Sequence, residues 1–303
     1  MIVLKDICKK FGDKVILNNI SFHIAPNEKV GIIGLNGAGK TTLLRVISGT
    51  IKPDSGFLRM QYAKNPLEEY SVLRNTVLVS GVQSQLWEDM KVKDSFDNGI
   101  QMYKIPKEEA KKRLEKLMEV LHIDSLMNEI PRNLSLGERM RCELAYALLI
   151  EPKVLMMDEA MLGLDVSMKH NIMQYLEEYC REKQCTILYT SHNLVEIEKL
   201  CDRVILIDKG TIIFDGSIDR IMREFSTLYH MEIKLLENLP DMEDLPIEKI
   251  TLQKDIMHII YDGQKIDTKQ LLKHLMEKTK FQDIRVYEPD LEGTIKKIYE
   301  RID

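Results

Sequence analysis

The chain has 303 residues, a net charge of -5 with both signs mixed along it, and 44% hydrophobic residues. That length suits one large domain plus a small one, or two medium ones, and the mixed charge speaks against a dedicated nucleic-acid binder, which would show a basic face. Its five cysteines form no C-x-x-C pair and its seven histidines no H-E-x-x-H, so neither a disulfide framework nor a protein-bound transition metal is expected, and a reduced cytoplasmic setting is.

Residues 1–4 run straight into Lys5-Asp6 with no signal pattern, and no stretch approaches the roughly 18 apolar residues needed to span a bilayer. Short apolar runs at 2–4, 15–17, 20–24 and 30–33, parted by Gly12-Asp13 and Pro26-Asn27, read as strands joined by turns. Phe11, beside Gly12, fits an edge filler or a ring stacked on a base. The last run leads into Gly34-Leu35-Asn36-Gly37-Ala38-Gly39-Lys40-Thr41 and then a helix through Leu43 and Leu44. Strand, glycine loop and helix in that order are the context of a phosphate-binding loop. Gly34 and Gly39 are expected to take backbone angles closed to other residues, and the N–H groups around Gly37, Ala38 and Gly39 to converge on phosphate. Lys40 would reach the β- and γ-phosphates and the Thr41 hydroxyl would hold Mg²⁺, with Asn36 and Thr42 completing the nucleotide contacts.

Lys52-Pro53-Asp54-Ser55-Gly56 is a turn cluster, and a strand is predicted at 76–79. From Pro106 the pattern is helical, with Ala110, Leu114, Leu117 and Leu121 on one face and the pairs Glu108–Lys112 and Glu109–Arg113 on the other. In Leu134-Ser135-Leu136-Gly137-Glu138, Ser135 and Glu138 form a capping box opening a helix to Ile150; such an N-terminus also suits a phosphate. Residues 153–159 are an apolar run ending in Asp158 and Glu159, a buried parallel strand with two acids at its carboxyl end. Asp158 is the natural Mg²⁺-side carboxylate and Glu159 the group to polarise a water.

A helix at 167–180 leads to a second buried strand, 186–190, ending in Ser191-His192. A lone histidine is usually structural, but at this sheet edge His192 is placed to sense a γ-phosphate. Residues 204–207 and 212–214 read as a hairpin. Beyond Arg223 come a strand at 231–236, an acidic link at 237–246 and a hairpin of 250–253 with 256–261. A helix at 269–278, a strand at 283–287 and a helix at 291–302 follow. This is a small α+β domain without a catalytic constellation.

Taken together, residues 34–41 (Walker A), 134–138 (signature), 154–159 (Walker B), Gly163-Leu164-Asp165 (D-loop) and Ser191-His192 (switch histidine) resemble the ATP-binding-cassette ATPases. The similarity covers roughly residues 1 to 222. It implies an α/β phosphate-loop NTPase core of RecA type with an antiparallel β subdomain and a helical subdomain at about 84–132, followed by the accessory domain at 229–303. It implies an ATPase using ATP and Mg²⁺, with Lys40, Glu159 and His192 catalytic and Thr41 and Asp158 on the metal. The resemblance makes Ser135 and Gly137 act on the ATP of a second, head-to-tail subunit, a homodimer or a paralogue, with Asp165 crossing between them and Phe11 against adenine. If Leu86-Trp87 is the family's leucine–aromatic pair, the usual glutamine position falls on Val82, and Gln83, with Gln85 close by, is taken as the Mg²⁺ and water sensor. Leu136, Glu138 and Ala160-Met161 stand where the family commonly has Gly, Gln and Pro-Thr.

A membrane permease would dock near residues 84–132, leaving this chain cytoplasmic and peripheral. Ser84 to Trp87, residues 134–141 and Glu288-Pro289-Asp290-Leu291-Glu292 resemble exporter ATPases of the drug, peptide or lipid type. The alternatives are a soluble cassette ATPase of repair or cofactor assembly and a nucleotide sensor without turnover.

Overall fold

The structure, a computed structural model, describes residues 1–60, 75–81, 84–225, 228–236, 242, 245–287 and 290–300. It divides into two compact units, Met1–Gly216 and Ser217–Asp303.

The first unit begins with β1 (Ile2–Phe11) and β2 (Lys14–Ile24), antiparallel neighbours, and β4 (Ser55–Met60) completes a three-stranded sheet in the order β2-β1-β4. The runs at 15–17 and 20–24 belong to one strand, not two. What parts them is an irregularity in the ladder, where Asn19 at φ 56° and Asp6 at φ 53° break the register and Asp6 N–H donates to Ser21 Oγ at 2.8 Å. Such a bulge interrupts the alternation that a sequence reading follows.

The second sheet has six strands in the order β5-β6-β7-β3-β8-β9: β3 (Lys29–Ile33), β5 (Thr76–Ser80), β6 (Val154–Asp158), β7 (Thr186–Thr190), β8 (Arg203–Asp208) and β9 (Thr211–Ser217). β3, β5, β6, β7 and β8 pair in parallel. Every residue of β6 and β7 is buried, as strands covered on both faces must be. α1 (Lys40–Ile47) packs on β2 of one sheet and β6 of the other, so Leu43, Leu44 and Ile47 share a core with Ile20, Ile32, Met156 and Leu188.

Between β5 and β6 lie α2 (Val92–Met102), α3 (Lys107–Leu121) and α4 (Leu136–Leu149). α2 and α3 both pack on α4, Phe96 meeting Tyr146 edge-on at 5.6 Å. The Glu109–Arg113 pair forms at 2.8 Å, and Arg113 also reaches Glu151 at 3.0 Å. α5 (Val166–Lys183) and α6 (Leu194–Leu200) follow β6 and β7. α2 was not foreseen: its sequence carries Asp, Asn and Gly, poor helix formers, and tertiary burial of Val92, Phe96 and Gly99 overrides them.

The second unit holds α7 (Ile218–Phe225), a four-stranded antiparallel sheet, α8 (Thr268–Lys278) and α9 (Leu291–Glu300). The sheet order is β11 (Ile247–Gln253), β12 (Ile256–Asp262), β10 (Leu228–Leu235), β13 (Phe281–Tyr287). Leu271 and Leu275 of α8 cover Met231, Ile233, Met257 and Ile259 on one face. α7 packs on α9 within this unit. Glu288-Pro289 and most of the acidic link fall outside the described residues.

Candidate functional site

The phosphate loop spans from the end of β3 to α1. Gly39 caps the helix at φ 110°, a conformation that needs glycine. Gly34 does not: its φ is ordinary, and it is glycine because a Cβ there would lie 2.5 Å from the Ile207 carbonyl oxygen. The expectation of forbidden angles at Gly34 is corrected to one of close approach between β3 and β8. Leu35, Asn36 and Gly37 are exposed, Ala38 and Gly39 are buried, and Thr41 and Thr42 are half-buried in the first turn of α1. Ala38 N–H donates back to Leu35 O at 3.1 Å.

The Lys40 ammonium is buried and donates to Gly34 O at 2.8 Å and Leu35 O at 3.3 Å. Burial lowers its pKa from the usual lysine value, while the charges of Glu159 and Asp158 pull it back up. Lys40 therefore lies in the field of the two acids.

Asp158 ends β6, paired with Thr190 at the end of β7, and Glu159 follows it directly. Thr190 Oγ1 donates to Asp158 Oδ1 at 2.7 Å and accepts the Glu159 N–H at 3.2 Å. Asp158 is 6% exposed. Glu159 sits at φ 55°, left-handed for a residue with a side chain, a conformation that costs of order 1–3 kcal/mol and clusters at functional sites. Its Oε1 lies 2.8 Å from His192 Nε2. Lys40, Asp158, Glu159 and His192 thus gather at the carboxyl edge of one parallel sheet, where ligands of open α/β sheets bind.

Thr190 escaped the sequence reading, although its place at the end of a buried strand level with Asp158 was the available signal. Thr190→Val keeps the shape and removes the donor. It is expected to destabilise the protein by about 1.5–3 kcal/mol, the range for a hydrogen bond to a charged group, as read by denaturant unfolding; a melt unchanged from wild type would show that Asp158 does not rely on it.

Glu196 was also missed. It takes the Ser191 hydroxyl at 2.7 Å, Lys169 at 2.9 Å, Asn193 Nδ2 at 3.2 Å and the Tyr189 hydroxyl. Burial pushes its carboxyl up, but the Tyr189, Lys169 and Ser191 bonds outweigh that and hold it below the usual range. It holds the side chains of the residues on either side of His192.

At α4, the capping box forms as expected: Ser135 accepts from the Glu138 N–H at 3.3 Å, and Glu138 Oε2 accepts the Ser135 N–H at 2.9 Å and its hydroxyl at 2.6 Å. The Ser135 bonds hold the Glu138 carboxyl below its usual range. Gly137 abuts Gly163, whose carbonyl oxygen would lie 2.5 Å from a Cβ on Gly137. Asp165 caps α5, accepting the Met168 N–H at 2.9 Å. Phe11 is 52% exposed with the Lys9 ammonium 5.5 Å above its ring.

Gln83, and Val82 beside it, lie outside the described residues. Gln85 turns its side chain away to donate to Leu78 O at 2.6 Å. Its N–H goes to Glu143 of α4 at 3.0 Å, which also takes the Ser84 hydroxyl. Arg139 of α4 donates to Gly81 O at 3.0 Å. The stretch after β5 is thereby tied to α4.

Burial raises the Glu143 carboxyl pKa, against the bonds from Ser84 and Gln85. The folded chain therefore holds this proton more tightly than the unfolded one, so this group's contribution to stability falls as pH rises from the unfolded value, about 4.3, through the higher folded one. Relative to Glu143→Gln, the wild-type melting temperature is expected to decline across that window; parallel profiles would refute the shift.

A family model described as ABC transporter matches residues 17–162. The chain is 30% identical over 225 residues to the ABC transporter ATP-binding protein NatA of Bacillus subtilis, covering 73% of this chain and 91% of that one. It is 33% identical over 221 residues to the methionine import ATP-binding protein MetN of Clostridium tetani, covering 72% and 70%. Against the Fe(3+) ions import ATP-binding protein FbpC of Photobacterium profundum it is 28% identical, spanning 75% of this chain but only 64% of that relative's length. A dimeric ATP-binding cassette solved in a post-hydrolysis state with ADP and Pi superposes with a TM-score of 0.64 at 25% identity, over 72% of this chain and 99% of that one. With the phosphate loop, the paired acids and the histidine on one sheet edge, these similarities establish that the chain belongs to the ATP-binding subunits of ABC transporters and is an ATPase of that family.

Proposed function

We propose that this ATPase works as a head-to-tail pair that encloses two ATP molecules and drives a separate membrane permease. The observation that carries the reading is the convergence of buried Lys40, the Thr190-bound Asp158 and the Glu159–His192 contact on one sheet edge. Lys40 neutralises β- and γ-phosphate charge, Glu159 takes a proton from the attacking water, and His192 holds Glu159 and the γ-phosphate in line. Asn36, Gly37, Ala38, Gly39 and Thr42 line the phosphates.

Thr41 and Asp158 offer a hydroxyl and a carboxylate, the hard oxygen donors that suit Mg²⁺. Asp158 has one oxygen engaged by Thr190 and the other for a cation. Bound there with ATP, Mg²⁺ would neutralise charge developing on the phosphates. Gln83 remains the proposed sensor of the metal and water.

Support for the pair comes from apolar side chains left exposed around the site: Leu35, Leu136, Leu162, Val166 at 86% exposure, and Val195. They belong to the phosphate loop, the start of α4, the position just before the D-loop, α5 and the start of α6, and a second copy would cover them. Ser135 and Gly137 then meet the partner's ATP, Asp165 crosses between the subunits, and Phe11 lies against adenine. The ATPase rate of the purified chain should rise with the square of its concentration in the dilute range; a rate linear in protein would mean single chains turn over and would refute the pair.

The permease would dock at residues 84–132, where α2 and α3 are carried on α4 and Glu143 joins that group to the stretch after β5. No helix among the described residues is long and apolar enough to cross a membrane; in this reading the chain meets the membrane through its permease partner. Charge reversals on the exposed face of α3 should uncouple ATP hydrolysis from transport; transport at the wild-type rate would place the docking site elsewhere. Export is the finer reading. It rests on similarity at residues 84–87, 134–141 and 288–292, whereas the relatives whose names give a direction, for Fe(3+) and methionine, are importers.

A further inference from the structure

The second unit holds a cluster that neither ATP hydrolysis nor the sequence motifs use. His230 and Glu232 are two apart on β10 and so share a face, and Glu232 lies opposite His258 in the antiparallel pair with β12. The alternate residues Met231, Ile233, Met257 and Ile259 face the core under α8, which puts the two histidines and the glutamate on the other side of the sheet. All three are half-buried, and one donor atom from each lies within 4.8 Å of the others. His258 Nδ1 is 3.3 Å from His230 Nε2 and 3.6 Å from Glu232 Oε1. The imidazole planes are 7° from parallel with centroids 5.4 Å apart. Because the facing nitrogens are so much closer than the centroids, the rings meet through their nitrogen edges.

We propose that His230, Glu232 and His258 bind a first-row transition-metal dication of the zinc class, with one coordination position left open. Two imidazole nitrogens and a carboxylate oxygen suit Zn²⁺ and its neighbours, whereas Mg²⁺ and Ca²⁺ take oxygen donors. Zinc–imidazole bonds of about 2.0–2.1 Å place neighbouring donors of a tetrahedron about 3.3–3.4 Å apart. The nitrogen pair already meets that spacing, and the carboxylate needs to move only slightly. Tyr287 supports the set from β13: its hydroxyl donates to Glu232 Oε2 at 2.9 Å and its ring lies 5.5 Å from that of His230. This leaves Oε1 turned to His258 and supplies the outer hydrogen bond that metal-ligating carboxylates carry. Arg285, in register with Glu232, is paired with Asp283 at 3.6 Å. Linear spacing hides the site, since His258 comes 28 residues after His230 with β11 between them; strand register alone assembles it.

Titrating chelator-stripped full-length protein with Zn²⁺ in excess Mg²⁺, which occupies the nucleotide site, is expected to show one Zn²⁺ bound per chain and a raised melting temperature. His230→Gln and His258→Gln should each weaken binding by at least about 10-fold and lose the thermal shift, and Tyr287→Phe should weaken it by up to about 10-fold. Equal melting temperatures of variant and wild type without metal show that the sheet still folds. If a variant melts lower without metal, the visible spectrum of Co²⁺ on the wild type decides: bands moved and intensified from those of aqueous Co²⁺ support nitrogen ligation. No Zn²⁺ bound by the wild type, wild-type affinity in both histidine variants, or an aqueous-type Co²⁺ spectrum would overturn the proposal. None of these outcomes depends on ATP turnover.

Discussion

Glu159→Gln is expected to leave ATP binding intact and slow turnover by about 10²- to 10⁴-fold, the range for a lost general base. Glutamine has the same length and can take the same backbone position, which is fixed by the Glu159 N–H bonds to Thr190 O at 3.1 Å and Thr190 Oγ1 at 3.2 Å. It can also still meet His192 Nε2, now 2.8 Å from Glu159 Oε1. What it loses is the capacity to accept a proton. The variant should therefore hold ATP in a persistent dimer, seen as a nucleotide-dependent shift to twice the mass in size-exclusion chromatography. His192→Ala should slow turnover too, and because the two side chains touch, the double variant should lose less than the product of the single losses. Multiplicative losses would separate their roles, and a wild-type rate in Glu159→Gln would remove Glu159 from the chemistry.

The parts of this site that were legible in the sequence are those whose chemistry is written in consecutive residues. The strand–loop–helix around Lys40 and the apolar run ending at Asp158-Glu159 need no partner to be read, and the capping box of Ser135 and Glu138 is local in the same way. What stayed hidden depends on register and approach between distant segments. Thr190 matters because β7 lies level with β6; Glu143 matters because α4 returns beneath the stretch after β5. The glycine at position 34 is explained by β8, 173 residues on at Ile207, and not by its own backbone angle. The same limit explains β2, where a bulge at Asn19 splits one strand into two separate apolar runs, 15–17 and 20–24. It explains the second unit too, whose strands were visible as apolar runs while the histidines gathered on their far side were not.

Gly137→Ala is expected to lower ATP turnover by about 10²-fold while leaving ATP binding to the single chain unchanged. On intrinsic propensity alone the substitution should help, since alanine favours an α-helix over glycine by about 1 kcal/mol. The structure reverses that sign. A Cβ at Gly137 would lie 2.5 Å from the carbonyl oxygen of Gly163 and 3.3 Å from its carbonyl carbon, both backbone atoms that cannot rotate aside. Gly163 in turn sits at φ 79° with Leu136 side-chain carbons 3.3 Å from where its own Cβ would be. Either the start of α4 or the loop leading to Asp165 must shift. In the proposed head-to-tail pair those segments would carry Gly137 to the partner's nucleotide and Asp165 across to the partner, and misplacement by about 1 Å is enough to cost 10²-fold. Lys40 and Thr41, on α1, keep their positions, so equilibrium binding of a fluorescent ATP analogue should not change. Ser135→Ala is the contrast: it removes a cap worth about 1 kcal/mol and the hydroxyl offered to the partner's ATP, but it introduces no clash, so thermal stability and kcat should both fall while the contact with Gly163 stays in place. Wild-type turnover in Gly137→Ala would show that the contact between α4 and the D-loop gives way without consequence, and that the glycine is there for the phosphate alone.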